Sequence, residues 1–318
     1  MQRHLDPRGR GDEFVHEALF YAGMDGFLAG TLPFVRQGLA AGEPVLVAVP
    51  AEKAARLRGE LGDSADDVLF ADMAEIGANP AWIIPAWQDF VSDHGSALRP
   101  VRGIGEPIWP DRTEDELVEC QHHESLLNLA FAGSPPWQLL CPYDVDALPA
   151  PVLEEARRSH PYVAEDGRGR RSESFRGLDA IAGPCDLPLT EAPAGLPELA
   201  FETGSLGAVR ARVTAAAADA GLGERADDLV LAVNEVASNS IRHGGGRGVL
   251  RIWEAAHALV CEVRDAGRID LPLVGRERPA LGGHNGRGLW IANQLCDLVQ
   301  VRTYDSGSTV RLHMRPAR

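Results

Sequence analysis

The first half of the chain alternates short apolar runs with longer amphipathic segments. Short, mostly apolar runs are typical of strands buried on both faces of a sheet. Four segments have this character: 44–49, 67–72, 101–106 and 138–144. Helical spacing of apolar residues follows in three segments: 51–61, 81–93 and 114–132. Strands that alternate with helices predict a mostly parallel sheet with right-handed crossovers.

The second half has a different order of elements. Helical patterns cover 205–220 and 227–243, and two strand-like segments follow at 248–253 and 259–264. A further helix is predicted at 288–298, and a closing strand pair at 299–304 and 309–314. Helices on one side of a mixed sheet predict an α/β sandwich.

The two halves are separated by a segment without periodicity. It contains a basic, glycine-rich stretch at 167–171 and four closely spaced prolines, Pro184, Pro188, Pro193 and Pro197. This composition predicts a linker or a wrapped connector. We therefore expect domains at 12–163 and 199–316, joined by a connector at 164–198.

Composition limits the classes of function. Hydrophobic residues make up 45% and charged residues 24% of the 318 residues, which is ordinary for soluble proteins. No run of about eighteen apolar residues is present, and the N-terminus lacks an apolar signal core, so we expect a cytoplasmic protein without a membrane span. A net charge of −15 argues against direct nucleic-acid binding but suits a basic protein partner.

Cysteine usage predicts reduced thiols. The five cysteines are Cys120, Cys141, Cys185, Cys261 and Cys296, and none forms a CxxC pair. Cys261 and Cys296 lie in apolar runs and are expected in the core.

Candidate chemistry begins in the helix predicted at 227–243. Glu235 and Asn239 are four residues apart and share one face of this helix. A carboxylate beside an amide oxygen suits Mg²⁺, and a carboxylate can activate a water or a hydroxyl. Taken alone, such a pair is more often a solvated polar face.

Three further segments have individually weak signals. Asp265 ends a strand and precedes Gly267; such a carboxylate can accept a hydrogen bond from adenine, although Asp-x-Gly is usually only a turn. The glycine-rich segment 282–288 opens into a helix, where backbone N–H groups can surround phosphate. Thr309 follows the Gly307 turn and is able to support an adenine pocket, although threonine is also a common strand former.

In order and spacing, these four segments resemble the N box, G1 box, G2 box and terminal threonine of the GHKL ATPases. The segment Asn234-Glu235-Val236-Ala237-Ser238-Asn239 and the short lid between 270 and 285 look most like the anti-sigma-factor serine kinases. The resemblance covers nearly all of residues 200–316. It implies a GHKL (Bergerat) α/β sandwich that binds ATP and Mg²⁺.

The resemblance also implies roles for individual residues. Glu235 would be the catalytic base, Asn239 would coordinate Mg²⁺, and Asp265 would read the adenine amine. Backbone approach to the nucleotide would be allowed by Gly267, Gly286 and Gly288, and Thr309 would complete the adenine pocket. Arg210 or Arg212 would contact a sigma factor or its antagonist.

One departure from the family pattern concerns the G1 box. It commonly reads Asp-x-Gly-x-Gly, but here Gly267 is followed by Arg268 and Ile269. A bulky residue in place of the second glycine would narrow the nucleotide pocket or stiffen the lid hinge.

Three motifs of the first half resemble the MEDS sensory domain. They are His16-Glu17-Ala18-Leu19-Phe20-Tyr21, Gly105-Glu106-Pro107-Ile108-Trp109 and Leu140-Cys141-Pro142-Tyr143-Asp144. This domain is related to RecA-like ATPases and is proposed to sense small molecules, including hydrocarbon derivatives. Gly-x-x-x-x-Gly-Lys-Ser/Thr is absent and Lys53 is not in such a loop, so a sensor pocket is favoured over a second ATPase.

Candidates for the sensor pocket lie at predicted strand ends or in these motifs, where open α/β sheets tend to bind ligands. They are His16, Glu106, Trp109, His123, Cys141 and Tyr143. In the competing interpretation, Trp109 and Tyr143 pack the core and His123 is a satisfied helix residue. A His/Cys metal site has no short-range ligand spacing in its support.

The leading hypothesis is an anti-sigma regulator that binds ATP–Mg²⁺ and a sigma factor, or phosphorylates a serine of an antagonist protein, under the control of a small-molecule or stress sensor. A homodimer is an open alternative to a monomer. A sensor histidine kinase is the second hypothesis, but residues 164–204 contain no histidine. The third is a non-catalytic binding module with a degenerate ATP site.

Overall fold

The structure is a computed structural model that describes residues 13–165, 168–177, 179, 181, 187–255, 258–279 and 286–316. The chain divides into two compact units, Met1–Pro184 and Cys185–Arg318. Each unit has its own sheet, a parallel-dominated one in the first and an antiparallel one in the second. The α/β fold class predicted for both halves is confirmed.

The first unit is built on a seven-stranded sheet of order β3-β2-β4-β5-β1-β6-β7. Its strands are β1 Phe14–Tyr21, β2 Val45–Val49, β3 Val68–Asp72, β4 Val101–Gly105, β5 Trp137–Asp144, β6 Tyr162–Glu165 and β7 Arg168–Arg171. All neighbours are parallel except β6 and β7. The basic stretch that the sequence places in the connector therefore supplies an edge strand, β7.

Helices cover both faces of this sheet. They are α1 Gly23–Ala40, α2 Ala51–Leu61, α3 Met73–Ile76, α4 Ile83–His94, α5 Glu114–Ala130 and α6 Ala150–Ser159. Apolar residues of α1 and α2 pack with Leu19, Tyr21 and Leu140 on one face. On the other face, a Cβ added to Gly103 would meet Trp87 of α4, and His16 contacts Glu124 of α5. A capping box between Thr113 and Glu116 starts α5.

The second unit is a five-stranded sheet of order β11-β12-β10-β9-β8. Its strands are β8 Leu199–Glu202, β9 Arg247–Ala255, β10 Ala258–Asp265, β11 Leu298–Tyr304 and β12 Gly307–Met314. All four pairings are antiparallel, so the mixed sheet that we expected is wrong. The reason is that β9 pairs with the next strand β10, and β11 with the next strand β12, as hairpins do.

Three helices cover one face of this sheet: α7 Leu206–Asp219, α8 Ala226–His243 and α9 Arg287–Leu295. Val213 of α7, Val233 of α8 and Ala292 of α9 pack with Val310 and Leu312 of β12 in one core. Residues 187–190 lie on the strands instead, since Arg302 donates to the Leu187 carbonyl and Arg311 to the Thr190 carbonyl.

Two expectations concern the chain as a whole. Of the four cysteines that the structure describes, none is in a disulfide, whereas Cys185 lies outside the described residues. Cys261 and Cys296 are in the core, as predicted. Within the described ranges, no helix combines the length and the apolar character that a membrane crossing requires.

Candidate functional site

A cavity of about 250 Å³ opens in the second unit between α8, the end of β10 and the start of α9. Asn239, Asp265, Gly267 and Gly286, which come from three of the four predicted segments, line its wall. Apolar side chains, among them Val236, Val274, Leu289 and Val310, complete the wall. A mainly apolar cavity with a few converging polar groups is the usual form of a small-molecule site.

The carboxylate of Asp265 is held from two sides. Ser240 Oγ donates to Asp265 Oδ2 at 2.6 Å, and the Gly267 N–H donates to Asp265 Oδ1 at 2.7 Å. Each carboxylate oxygen retains a lone pair, so Asp265 is oriented but able to accept a further donor from the cavity. Sequence reasoning missed Ser240, because its distance of 25 residues from Asp265 is closed only by folding.

Close approach of the Asp265 backbone explains the glycine at position 307. A Cβ at Gly307 would lie 1.9 Å from the Asp265 carbonyl oxygen, and its φ of 132° is a conformation that favours glycine. The turn between β11 and β12 therefore packs directly on the backbone of Asp265.

Glu235 and Asn239 meet the start of α9. A Cβ at Gly288 would lie 2.6 Å from Asn239 Nδ2 and 3.4 Å from Glu235 Oε2. Gly286 precedes the helix in a left-handed conformation, with φ of 81°. The N-terminal N–H groups of α9 thus lie beside the carboxylate–amide pair of α8, an arrangement suited to an anion with its metal ion. Residues 280–285 of the predicted lid lie outside the described residues.

Thr309 does not reach this cavity. Side chains alternate along β12, and Val310 lines the cavity, so Thr309 points to the opposite face of the sheet. There it lines a separate groove with Arg251, Glu262 and Arg311. Ser308, the residue before Thr309, donates from its Oγ to the Gly267 carbonyl at 2.9 Å.

Ile269 occupies the position of the missing second glycine. It is half-buried, lines the cavity and packs against the core of the unit. Thr303 Oγ1 accepts from the Ile269 N–H at 3.2 Å and donates to the Ile269 carbonyl at 3.1 Å. These two hydrogen bonds therefore hold the backbone of Ile269 against β11.

The two candidate partner residues are exposed on α7. Arg210 Nη1 donates to Asn234 Oδ1 at 3.0 Å, which links α7 to α8.

In the first unit, the structure separates the six sensor-pocket candidates. His16 and Cys141 lie together in a buried cluster with Glu124 and His160. Tyr143 is buried in the core, with its ring centroid 5.6 Å from that of His160. Burial, and after it the neighbouring His160, lowers the pKa of His16 to about 4. Burial raises the pKa of the Cys141 thiol well above its usual range.

Glu106 belongs to a second cluster, at the carboxyl end of β4. Tyr21 Oη donates to Glu106 Oε1 at 2.7 Å, and Lys53 Nζ lies 2.5 Å from the same oxygen. Burial raises the pKa of Glu106, and the Lys53 ammonium only partly opposes this effect. Sequence reasoning excluded Lys53 from a phosphate loop and thereby missed its place beside Glu106.

The two remaining candidates join neither cluster. Trp109 is half-buried and stacks against Arg112, whose guanidinium carbon lies 3.7 Å from the ring centroid. His123 is buried on α5, one residue before Glu124. The group formed by His16, Glu124, Cys141 and His160 and the group formed by Glu106, Tyr21 and Lys53 therefore contain only three of the six candidates.

Each of the two units matches a protein-family model. Residues 199–314 match the family model described as histidine kinase-like ATPase domain. Residues 15–161 match the model of the MEDS domain, the MEthanogen/methylotroph, DcmR Sensory domain. The chain thus consists of a MEDS domain followed by a histidine kinase-like ATPase domain, as the motifs indicate.

One similar solved structure contains the RsbU and RsbW domains of a protein from Mycobacterium tuberculosis. The two are 22% identical with a TM-score of 0.30, over 40% of this chain and 34% of that chain. The chain thus spans about a third of the length of that structure. None of the curated proteins compared with the chain matches it.

Proposed function

We propose that the chain is an anti-sigma-type regulator. Its second unit would bind ATP–Mg²⁺ and a sigma factor, or phosphorylate a serine of an antagonist protein, and its first unit would sense a small molecule. The observation that carries the proposal is the meeting of Glu235 and Asn239 with Gly288 at the start of α9. The motif around Glu235, which resembles the anti-sigma-factor serine kinases, favours this branch over others.

The residues of the cavity fit ATP and Mg²⁺. The Asp265 carboxylate is oriented to accept a hydrogen bond from an amine, and a side chain at Gly288 would obstruct Asn239. Asn239 would hold the metal ion, and the N–H groups of α9 would hold phosphate oxygens. When bound, ATP supplies the phosphoryl group. Glu235 would accept the proton of the serine hydroxyl.

A sensor histidine kinase is disfavoured by the surroundings of its nearest upstream histidine. His160 is fully buried, with Nδ1 2.8 Å from the Ala156 carbonyl oxygen. A phosphoacceptor has to reach the ATP of a kinase domain, and a buried imidazole is unable to do so.

A non-catalytic binding module is the second candidate function, favoured by Ile269. Thr303 fastens the backbone of Ile269 through two hydrogen bonds, whereas a glycine there would give the lid a flexible hinge. A stiff hinge would permit partner binding through α7 without phosphoryl transfer. This candidate predicts sigma-factor binding that is indifferent to ATP and Mg²⁺.

Calorimetric titration of the full chain with ATP, with and without Mg²⁺, tests the proposal. We expect Mg²⁺-dependent binding that is lost in Asn239→Ala and retained in Glu235→Gln. The matched control is Asn234→Ala, on the same helix but facing Arg210 of α7. A phosphorylation assay on candidate antagonists should then show loss of transfer in Glu235→Gln. Absence of binding at millimolar ATP would refute the ATP site, and binding without transfer would favour the non-catalytic module.

A further inference from the structure

Four buried side chains converge between β1, β5, α5 and the end of α6. They are His16, Glu124, Cys141 and His160, which we call the His16 cluster. One nitrogen, oxygen or sulfur atom of each lies within 4.8 Å of those of the other three. None of the four side chains is more than 1% exposed.

The hydrogen bonds of His160 fix its tautomer. Nδ1 lies 2.8 Å from the Ala156 carbonyl oxygen, which only accepts, so Nδ1 carries the proton. Nε2 of the neutral ring therefore carries a lone pair. This Nε2 lies 3.2 Å from Glu124 Oε2.

His16 is fixed in the same way. Its Nδ1 lies 3.2 Å from Asn128 Oδ1, while Asn128 Nδ2 donates to the Ser159 carbonyl at 2.8 Å. The amide oxygen of Asn128 thus faces the ring, and Nδ1 of His16 is the donor. The lone pair of Nε2 then points into the cluster, 3.1 Å from Glu124 Oε2 and 3.4 Å from Cys141 Sγ.

In this arrangement, hydrogen-bond acceptors face other hydrogen-bond acceptors in a buried site. Two imidazole lone pairs face one carboxylate oxygen, and Glu124 Oε1 has no hydrogen-bond partner within the described ranges. A buried carboxylate without donors is costly unless a cation neutralises it. Histidines whose outer nitrogen donates to a carbonyl are also the usual form of metal-ligating histidines.

We propose that the His16 cluster binds a zinc-class divalent metal ion through His16 Nε2, Glu124 Oε2, Cys141 Sγ and His160 Nε2. Two imidazoles, one thiolate and one carboxylate suit Zn²⁺, whereas Mg²⁺ and Ca²⁺ prefer oxygen ligands alone. On binding, the Cys141 thiol releases its proton to solvent. The charges of thiolate and carboxylate then balance the two positive charges of the ion.

The site would be closed, since four protein ligands complete a tetrahedron. Its ligands come from two strands, one helix and the residue after another helix. A bound ion would therefore join elements that are far apart in the chain, and its gain or loss would change the stability of the first unit. The proposal is independent of ATP binding, because the ATP site lies in the other unit.

Elemental analysis and Co²⁺ substitution of the full chain test the proposal. We expect one zinc ion per chain after purification without chelators. After removal of that ion, Co²⁺ should produce a thiolate-to-cobalt charge-transfer absorption. Cys141→Ala should abolish this absorption, and Cys120→Ala should retain it, because Cys120 Sγ is buried but donates to the Pro107 carbonyl instead.

A folded wild-type chain without bound metal, and without a Co²⁺ spectrum, would overturn the proposal and leave a charged imidazole–carboxylate network as the explanation. Retention of the charge-transfer absorption in Cys141→Ala would also overturn it. If Cys141→Ala does not fold, zinc X-ray absorption of the wild type decides, because the proposed site requires one sulfur ligand. An ATP titration of the same sample shows whether the other unit is intact.

Discussion

Ser240 Oγ donates a 2.6 Å hydrogen bond to Asp265 Oδ2, so the residue after the proposed Mg²⁺ ligand Asn239 orients the proposed adenine reader. Asn239 and Ser240 are adjacent on α8. The second oxygen of Asp265 is fixed by the Gly267 N–H. Hydrogen bonds within the protein thus orient the Asp265 carboxylate.

Removal of the Ser240 hydroxyl should weaken ATP binding. A hydrogen bond to a charged group contributes about 1.5–3 kcal/mol, and part of the preorganisation remains through Gly267, so we expect roughly tenfold weaker binding for Ser240→Ala. Calorimetric titration with ATP–Mg²⁺ measures this loss. Ser238→Ala, on another face of the same helix, is the control. Equal affinities of Ser240→Ala and the wild type would show that Asp265 needs no orientation.

A methyl group at residue 288 should displace the Mg²⁺ ligand. The added Cβ of Gly288→Ala would lie 2.6 Å from Asn239 Nδ2, so the Asn239 side chain has to move. We expect Mg²⁺-dependent ATP binding to be lost while the melting temperature changes little, because alanine favours a helix. Gly207→Ala on α7 is the matched control, since its Cβ meets nothing closer than 3.9 Å. Retained Mg²⁺ dependence would contradict the assignment of Asn239.

Truncation of the Ile269 side chain should increase the affinity for ATP but lower the free energy of unfolding. Ile269→Ala widens the cavity and loses part of a half-buried side chain, so we expect several-fold tighter ATP binding together with a loss of about 1–2 kcal/mol of unfolding free energy. Titration and chemical denaturation measure the two effects. Ile241→Ala, which packs against the same core, should lose stability alone. Unchanged ATP affinity of Ile269→Ala would show that Ile269 does not narrow the site.

Glu262 should make the second unit sensitive to acid. Its side chain is fully buried, and Arg251, Arg264 and Arg311 contact it at 2.5–2.7 Å. Burial alone would raise the pKa of Glu262, but hydrogen bonds from Arg251 and Arg311 hold it below its usual value of 4.5. A lowered carboxyl pKa stabilises the folded state above the unfolded pKa, and this contribution is lost as the pH falls through the folded pKa.

We therefore expect Glu262→Gln to lower the unfolding free energy by about 3 kcal/mol at neutral pH. The difference from the wild type should shrink as the pH falls below 4.5, the usual carboxyl pKa. Denaturant unfolding at a series of pH values measures it. The exposed Glu254→Gln on β9 should leave the pH profile unchanged, and a difference for Glu262→Gln that is constant with pH would refute the charge argument.

The position predicted for Thr309 was wrong because it depends on which face of the sheet the side chain occupies. Glycine turns and apolar runs located the closing strand, but the face of each side chain depends on the register of that strand in its sheet. Pairing of Val310 with Val263 places Val310 on the helix-covered face, and Thr309 follows on the other. Thr309 therefore lines the groove with Arg251 and Glu262 instead of the cavity.

The sequence alone determined the features that depend on local spacing. Apolar periodicity predicted most helices and strands, and the four-residue spacing of Glu235 and Asn239 placed both on one helix face, since a helix repeats every 3.6 residues. Only the tertiary structure decided the Ser240–Asp265 hydrogen bond and the His16 cluster. His16 and Glu124 are 108 residues apart and meet only when β1 and α5 pack together. Such contacts depend on the packing of whole elements, which no local pattern of residues encodes.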